Sequence, residues 1–228
     1  MADLKHLSDN VTSNLLNFLA QINGSEKPWP AQLLYGTVIS LAKQDEAHLP
    51  NHFRPVVILG TVYRTWSRMN ALPLLRIFGQ ILPSCAHGFL PGHECAQVWL
   101  QLQGFIEVCL QQGIEFSGFS TDIEKSFNNV GRDSLMALAV HIGISDSLLK
   151  PWRAFLDEFV RSFQIQTALS QPERSTQGLP EGCSLSVAGM VLIDWAFHVY
   201  MAALAPSVHA FTYVDNVSAA GHEVMNVV

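Results

Sequence analysis

The most constraining stretch of this chain is an apolar run from Leu185 to Ala205, LSVAGMVLIDWAFHVYMAALA. A helix that is apolar all round must be covered all round, by lipid or by the rest of a domain. Asp194 stands near its middle, where insertion into a bilayer costs about 2.5–3.5 kcal/mol, and His198 shares its face one turn later. The expectation is a core helix of a soluble fold, with no membrane partner. The chain has the material to wrap such a helix: of 228 residues 49% are hydrophobic and 14% charged, the latter against about 25% in an average domain. Disorder and a disulfide-stapled miniature are excluded.

Around that helix the pattern predicts an α+β chain. Leu4, Leu7, Val11, Leu15 and Leu19 share one side of a first helix, closed by Asn23-Gly24, and Pro28-Trp29-Pro30 opens a second through about Ala42. RPVVIL is a β-branched run, and VYRTWSRMNALPLL is helical in pattern, with Pro73 bending or ending it. From Gly113 onward strands and helices alternate. IEFSGFSTDI reads as a strand with one covered face and delivers Asp122 near its end. Asp133 is placed to cap a helix through about Ile142, stopped by Gly143, and a further helix covers about Ser147 to Phe159. FQIQTAL is a short strand, and SQPERSTQGLPEG a loop leading into the apolar helix. HAFTY and VSAAG are β segments separated by Val214-Asp215-Asn216, which suits a hairpin tip. The class is a mostly antiparallel sheet with helices packed on one face.

The formal net charge of −6 argues against a polyanionic partner only if charge is spread evenly. It is not. From Ala47 to His93 there is no Asp or Glu, while Arg54, Arg64, Arg68 and Arg76 give that stretch +4 and leave the remainder at −10. One segment is therefore suited to anions, unless the four arginines are simply solvated. Cys85, Cys95, Cys109 and Cys183 sit among apolar residues, and the N-terminal MADLKHLSDN lacks the apolar core of a secretory leader. An intracellular setting, nucleus or cytoplasm, is expected, and secretion is not. In CAHGFLPGHEC, Cys85, His87, His93 and Cys95 offer soft ligands to zinc at a spacing unlike a knuckle or finger. Buried cysteines around a Gly-rich turn are the other reading.

Asp122 at a strand end and Asp215 in a hairpin turn reach the same sheet edge if their strands are neighbours. Two carboxylates there make a hard oxygen site suited to Mg²⁺ or Mn²⁺, and paired ions of that kind serve phosphoryl transfer. Asp is also common in turns for purely structural reasons.

FSTDIEKSFNNV resembles motif A of reverse transcriptases, STQGLPEGCSLS resembles their motif B, and FTYVDN their motif C hairpin, in the family's order. Upstream, Leu41-Ala42-Lys43 and HFRPVVILGTVYRTWSR resemble the fingers of non-LTR retrotransposon polymerases, and AHGFLPGHE the turn that follows. The resemblance covers about Pro30 to Val217. It implies a right-hand polymerase: residues 1–29 an N-terminal helical extension, 30–112 a fingers-like segment, and 113–228 a palm-like segment. It implies two Mg²⁺ or Mn²⁺ ions on Asp122, Asp215 and the backbone carbonyl of Ile123. Phe127 falls at the position of an aromatic steric gate that favours dNTP over rNTP; a core aromatic is the other reading. Gln177 and Gly178 would lie beside the nascent base pair, with Gly178 and Gly182 allowing close backbone approach, and Arg54 and Arg64 would hold triphosphate oxygens. Lys125 is left as a salt-bridging surface residue. The partners implied are an RNA template, a DNA primer and dNTPs.

Two departures qualify the resemblance. Asn216 stands where the family carries the second Asp of motif C, and Asn128 where retrotransposon versions often carry an acid. Only a short tail follows Asn216, without the lysine motif, primer grip or thumb, so a fingers-and-palm fragment that needs a C-terminal thumb segment is expected. A decayed, inactive remnant that at most binds nucleic acid or a partner protein is the alternative.

Overall fold

The computed structural model describes residues 6–43, 45, 46, 49 and 52–221. The chain gathers into two compact units, Met1–Asn70 with Phe127–Ser186, and Ala71–Ser126 with Val187–Val228.

In the first unit, helix α1 (Asp9–Asn23) buries Leu19 and Ile22 and stops at Gly24. Leu7 precedes the helix, and Leu4 lies outside the described residues. The helix expected after Pro-Trp-Pro is instead a 3₁₀ turn, Ala31–Leu33, followed by strand β1 (Tyr35–Ala42). Thr37, Val38 and Ile39 favour extended backbone, and β1 finds a partner on each side. Strand β2 (Phe53–Leu59), which holds the RPVVIL run, pairs with it antiparallel from Gly36↔Leu59 to Ala42↔Phe53. Strand β4 (Val160–Ile165) pairs with it in parallel from Tyr35↔Val160 to Ile39↔Gln164. A Cβ on Gly36 would come 2.6 Å from the Phe159 ring, so the central strand needs glycine there. β5 (Ala168–Leu169) and β6 (Glu173–Arg174) complete a five-stranded sheet.

Helix α6 (Asp146–Glu158) starts at Ser145, whose hydroxyl accepts from the Ser147 N–H, and buries Leu148, Leu149, Trp152, Phe155 and Leu156. Phe155 stacks on Tyr63 with centroids 3.5 Å apart, and Trp29 packs edge-on against Tyr63, Trp66 and Phe155. Each such ring contributes about 1.5–3 kcal/mol by leaving water. The Trp29 indole N–H donates to the Pro151 carbonyl (2.8 Å), so the cluster buries no unpaired donor there. Helix α5 (Arg132–His141) is capped by Gly131. Asp133, expected as the cap, stands in the first turn and pairs with Arg153.

The two longest helices each contribute residues to both units. α2 (Thr61–Ile81) continues past Pro73, and its second half buries Ala71, Leu75 and Phe78. α7 (Ser184–Leu204) is long and apolar enough to cross a membrane by length and composition, and it buries Leu185, Ala188, Met190, Val191 and Leu192 within the protein.

In the second unit, α3 (Cys95–Gln112) opens on a capping box formed by Glu94 and Gln97 and ends on Gly113 in the left-handed region. Strands β3 (Ser117–Asp122), β7 (Val208–Tyr213) and β8 (Asn216–Gly221) form an antiparallel sheet in the order β3-β8-β7. The fold class is α+β, with largely antiparallel sheets.

Candidate functional site

β8 is the central strand of the three, and its register decides where the acids fall. Asp122 sits opposite Asn216 on one flank, and Tyr213 sits opposite Asn216 on the other. The hairpin turn is therefore two residues, Val214 and Asp215. Beyond the end of β3 the Ile123 N–H donates to the Asp215 carbonyl (2.9 Å), which sets the backbones after Asp122 and at Asp215 side by side. Asp122, Ile123, Asp215 and Asn216 thus meet at one end of one sheet. Asp122, Ile123 and Asn216 are exposed and Asp215 is half-buried, so the carboxylates stay in reach of solvent.

The turn is strained. Val214 has φ 64°, a conformation that β-branched residues rarely adopt and that persists only where the surroundings over-determine it. Those surroundings are visible. A Cβ on Gly88 would come 3.0 Å from Val214 Cα, so the Gly-rich segment packs directly beneath the turn. Ala86 bridges Thr212 in parallel, the His87 N–H donates to the Thr212 carbonyl (3.1 Å), and the Thr212 N–H donates to the Cys85 carbonyl (3.1 Å).

The Thr212 hydroxyl donates to Asp194 Oδ2 (2.9 Å). Its single proton is spent there, so His198 must carry its own on Nε2 and donate it to Thr212 Oγ1 (2.8 Å). His198 Nδ1 then faces the Cys85 thiol at 3.8 Å. Burial pushes Asp194 up to about 6, against the pull of the Thr212 hydrogen bond, and pushes His198 down to about 4. Near neutral pH the carboxylate is charged and the imidazole neutral, so they are joined through Thr212 rather than as an ion pair. Burial also pushes the Cys85 thiol up.

The remaining candidates lie in the first unit. The Leu179 N–H donates to the Phe127 carbonyl (2.8 Å) and the Gly178 N–H to the Val130 carbonyl (2.9 Å), which lays the Gln177–Leu179 loop against the short helix α4 (Ser126–Asn129). Phe127, half-buried, is thereby brought beside Gln177 and Gly178. Gly178 has φ 76°, and a Cβ there would lie 2.8 Å from Asn128 Cα; a Cβ on Gly182 would lie 2.8 Å from the Val57 carbonyl. The close approach at both glycines is to the chain's own backbone. Arg54 on β2 and Arg64 on α2 are exposed.

Asn128 donates from its amide to Glu181 Oε1 (2.9 Å). Burial raises the Glu181 carboxyl, opposed by that hydrogen bond and by the positive charges of Arg54, Arg161 and Lys43. An acid at position 128 would repel Glu181, so the departure from the resembled motif has a local reason. Lys125 lies 3.4 Å from Glu124 on the surface, as a salt-bridging residue would.

The sequence reading missed Arg132. Its buried guanidinium donates to the carbonyls of Gly178 (2.8 Å), Leu156 (2.7 Å), Ser175 (2.7 Å) and Gln177 (3.2 Å). An unsatisfied charge there would cost several kcal/mol; four carbonyl dipoles satisfy it and fix the loop that carries Gln177. The available signal was a cation in the first turn of a helix, against the macrodipole.

The cysteine and histidine set does not assemble. Cys85 faces His198, Cys95 is exposed, and His87 and His93 bond each other through Nδ1 atoms 2.9 Å apart. Among the described residues no three or more His, Cys, Asp or Glu come together as a metal group.

No family model matches the sequence, and no curated protein matches it. Solved structures do. Telomerase from Candida tropicalis truncated from its C-terminal domain aligns with a TM-score of 0.64 at 9% identity, over 88% of this chain and 45% of that one. Telomerase from Candida albicans in complex with a TWJ fragment of telomeric RNA aligns at 0.62 and 10% identity, over 88% and 40%. The Candida tropicalis telomerase with that fragment aligns at 0.62 and 9%, over 96% and 40%. The chain therefore has a reverse-transcriptase-like fold. It spans less than half the length of each of these proteins.

Proposed function

We propose that the chain is the fingers and palm of an RNA-directed DNA polymerase of retrotransposon type. The observation that carries the reading is the meeting of Asp122 and Asp215 at one sheet end, set by the Asp122↔Asn216 register and the Ile123–Asp215 hydrogen bond. In the reaction the 3′-hydroxyl of a primer attacks the α-phosphate of a dNTP and pyrophosphate leaves.

The donors fit Mg²⁺ in kind: two carboxylates, the Ile123 carbonyl and the Asn216 amide are all hard oxygen groups. They are few in number, which suits a cation that is commonly held by one or two carboxylates together with substrate phosphates. When bound, divalent ions would supply charge stabilisation for the attacking and leaving oxygens. Asp122 and Asp215 would hold them. Arg54 and Arg64 would hold triphosphate oxygens, Gln177 would lie beside the new base pair on the loop fixed by Arg132, and Phe127 would close the space beside the sugar C2′.

Joined to a C-terminal thumb segment, the chain is expected to extend an RNA-templated DNA primer with dNTPs and Mg²⁺, and Asp122→Asn or Asp215→Asn to abolish the product. Full extension by either variant sinks the reading. Phe127→Ala is expected to admit rNTPs, measured by parallel dNTP and rNTP incorporation. Asn216, which removes one charge from the site, favours a second reading: a remnant that binds nucleic acid without catalysis. Salt-sensitive RNA binding without incorporation, even by Asn216→Asp joined to a C-terminal thumb segment, would support that one.

A further inference from the structure

Thr212, three residues before Asp215, spends every polar atom it has. Its backbone is bonded on both sides, to Cys85 and His87, and its hydroxyl is held by Asp194 and His198 from successive turns of α7. Thr212 is buried, and so is His198. A valine would fill the same space. What the hydroxyl adds is direction: one bond outward and one inward fix the rotation of β7 at this point, and releasing either would strand a buried polar group. The frame ends at a turn whose first residue sits at positive φ, and any relaxation of Val214 toward extended backbone swings the next residue, Asp215.

We propose that Thr212, Asp194 and His198 are positioning residues that hold the Val214–Asp215 turn so that the Asp215 carboxylate stands beside that of Asp122 to take a divalent cation. The inference rests on the reading of Asp122 and Asp215 as metal ligands. It gives a purpose to Asp194 and His198 in a largely apolar helix. The residues that orient a metal ligand through a hydrogen-bonded frame typically change metal affinity by 10–100-fold when replaced.

The test uses Mn²⁺ alone, titrated into the full chain and followed by the loss of the free-ion EPR signal, with each variant first shown to be folded by near-UV circular dichroism at the titration temperature. Wild type is expected to bind Mn²⁺, and Asp122→Asn and Asp215→Asn to lose it. Thr212→Val is expected to bind about tenfold more weakly, and Thr212→Ser, which keeps the hydroxyl, to recover most of the affinity. If Thr212→Val does not fold, His198→Leu removes one of the two hydroxyl contacts and takes its place, with weaker binding again expected. Unchanged Mn²⁺ binding in Asp215→Asn overturns the metal reading and the clamp with it. Loss in Asp215→Asn with unchanged affinity in folded Thr212→Val, or no recovery in Thr212→Ser, overturns the clamp alone.

Discussion

Burial moves the proton affinities of Asp194 and His198 in opposite directions, the carboxyl from 3.8 up to about 6 and the imidazole from 6.5 down to about 4. Between about pH 4 and 6 the folded pair carries one proton, on Asp194, and the unfolded pair also carries one, on His198. Folding transfers a proton without net uptake, so the pair adds no slope to stability across that window. Separating the two exposes each slope. In His198→Gln, Asp194 keeps a raised folded value: its contribution is full below about 3.8 and is lost as pH rises through about 6. In Asp194→Asn, His198 keeps a depressed folded value: its contribution is full above about 6.5 and is lost as pH falls through about 4. Urea unfolding at several pH values from 4 to 6 is expected to show opposite changes of slope relative to wild type, each at most about 1.4 kcal/mol per pH unit. Equal slopes in all three proteins would refute the account. Arg132 makes a simpler case. Arg132→Met leaves carbonyls of the Ser175–Gly178 loop without their donor, at about 1–3 kcal/mol for each buried group. A drop of at least about 3 kcal/mol in unfolding free energy is expected.

At the scale of elements, glycines separate a strained conformation from a crowded one. Gly143 and Gly178 both have positive φ, but nothing lies within 4 Å of a Cβ at Gly143, whereas one at Gly178 meets the Asn128 backbone. Gly143→Ala is expected to cost about 1–2 kcal/mol, the left-handed penalty alone. Gly178→Ala adds a collision that only moving α4 away from the loop can relieve, so its urea midpoint should fall well below that of Gly143→Ala. The same contrast explains what could be read from sequence. β3 and the β7–β8 hairpin, which carry Asp122 and Asp215, were legible as strands because alternation and turn residues are local signals, but the covered face expected of β3 is missing: Gly118–Asp122 are all exposed. That α7 is a helix was legible from its long apolar run, but full cover was not found, since Val199, Tyr200 and Leu204 near its end are exposed. β1 was not legible: a Pro-led start imitates a helix N-terminus, while the partner that decides the matter, β4, begins at Val160. Arg132 was invisible for a related reason, since the carbonyls that hold it leave no mark on residue identity. The clamp was half legible, with Asp194 and His198 spaced to share a helix face and Thr212 unsuspected.

For the whole molecule, a net charge of −6 would repel a polyanion if it were uniform. Attraction must then come from the acid-free stretch, whose Arg54 and Arg64 are exposed in the first unit. Counterion release makes this measurable, because each cation that neutralises a phosphate of a single strand contributes about 0.7 to the slope of log affinity against log salt. Fluorescence anisotropy of a labelled single-stranded RNA, titrated with the full chain at several KCl concentrations, is expected to show such a slope. The combined variant Arg54→Gln, Arg64→Gln, Arg68→Gln and Arg76→Gln should flatten it by about 0.7 for every arginine that meets a phosphate, up to about 2.8 for all four. Lys150→Gln is the control: that lysine lies on the exposed face of α6, 3.0 Å from Asp146, and its loss should leave the slope unchanged. An unchanged slope in the four-arginine variant would place RNA contact elsewhere and leave the segment a solvated surface. A slope lost equally with Lys150→Gln would mean that binding follows net charge alone, because a contact specific to the acid-free segment cannot respond to a cation outside it.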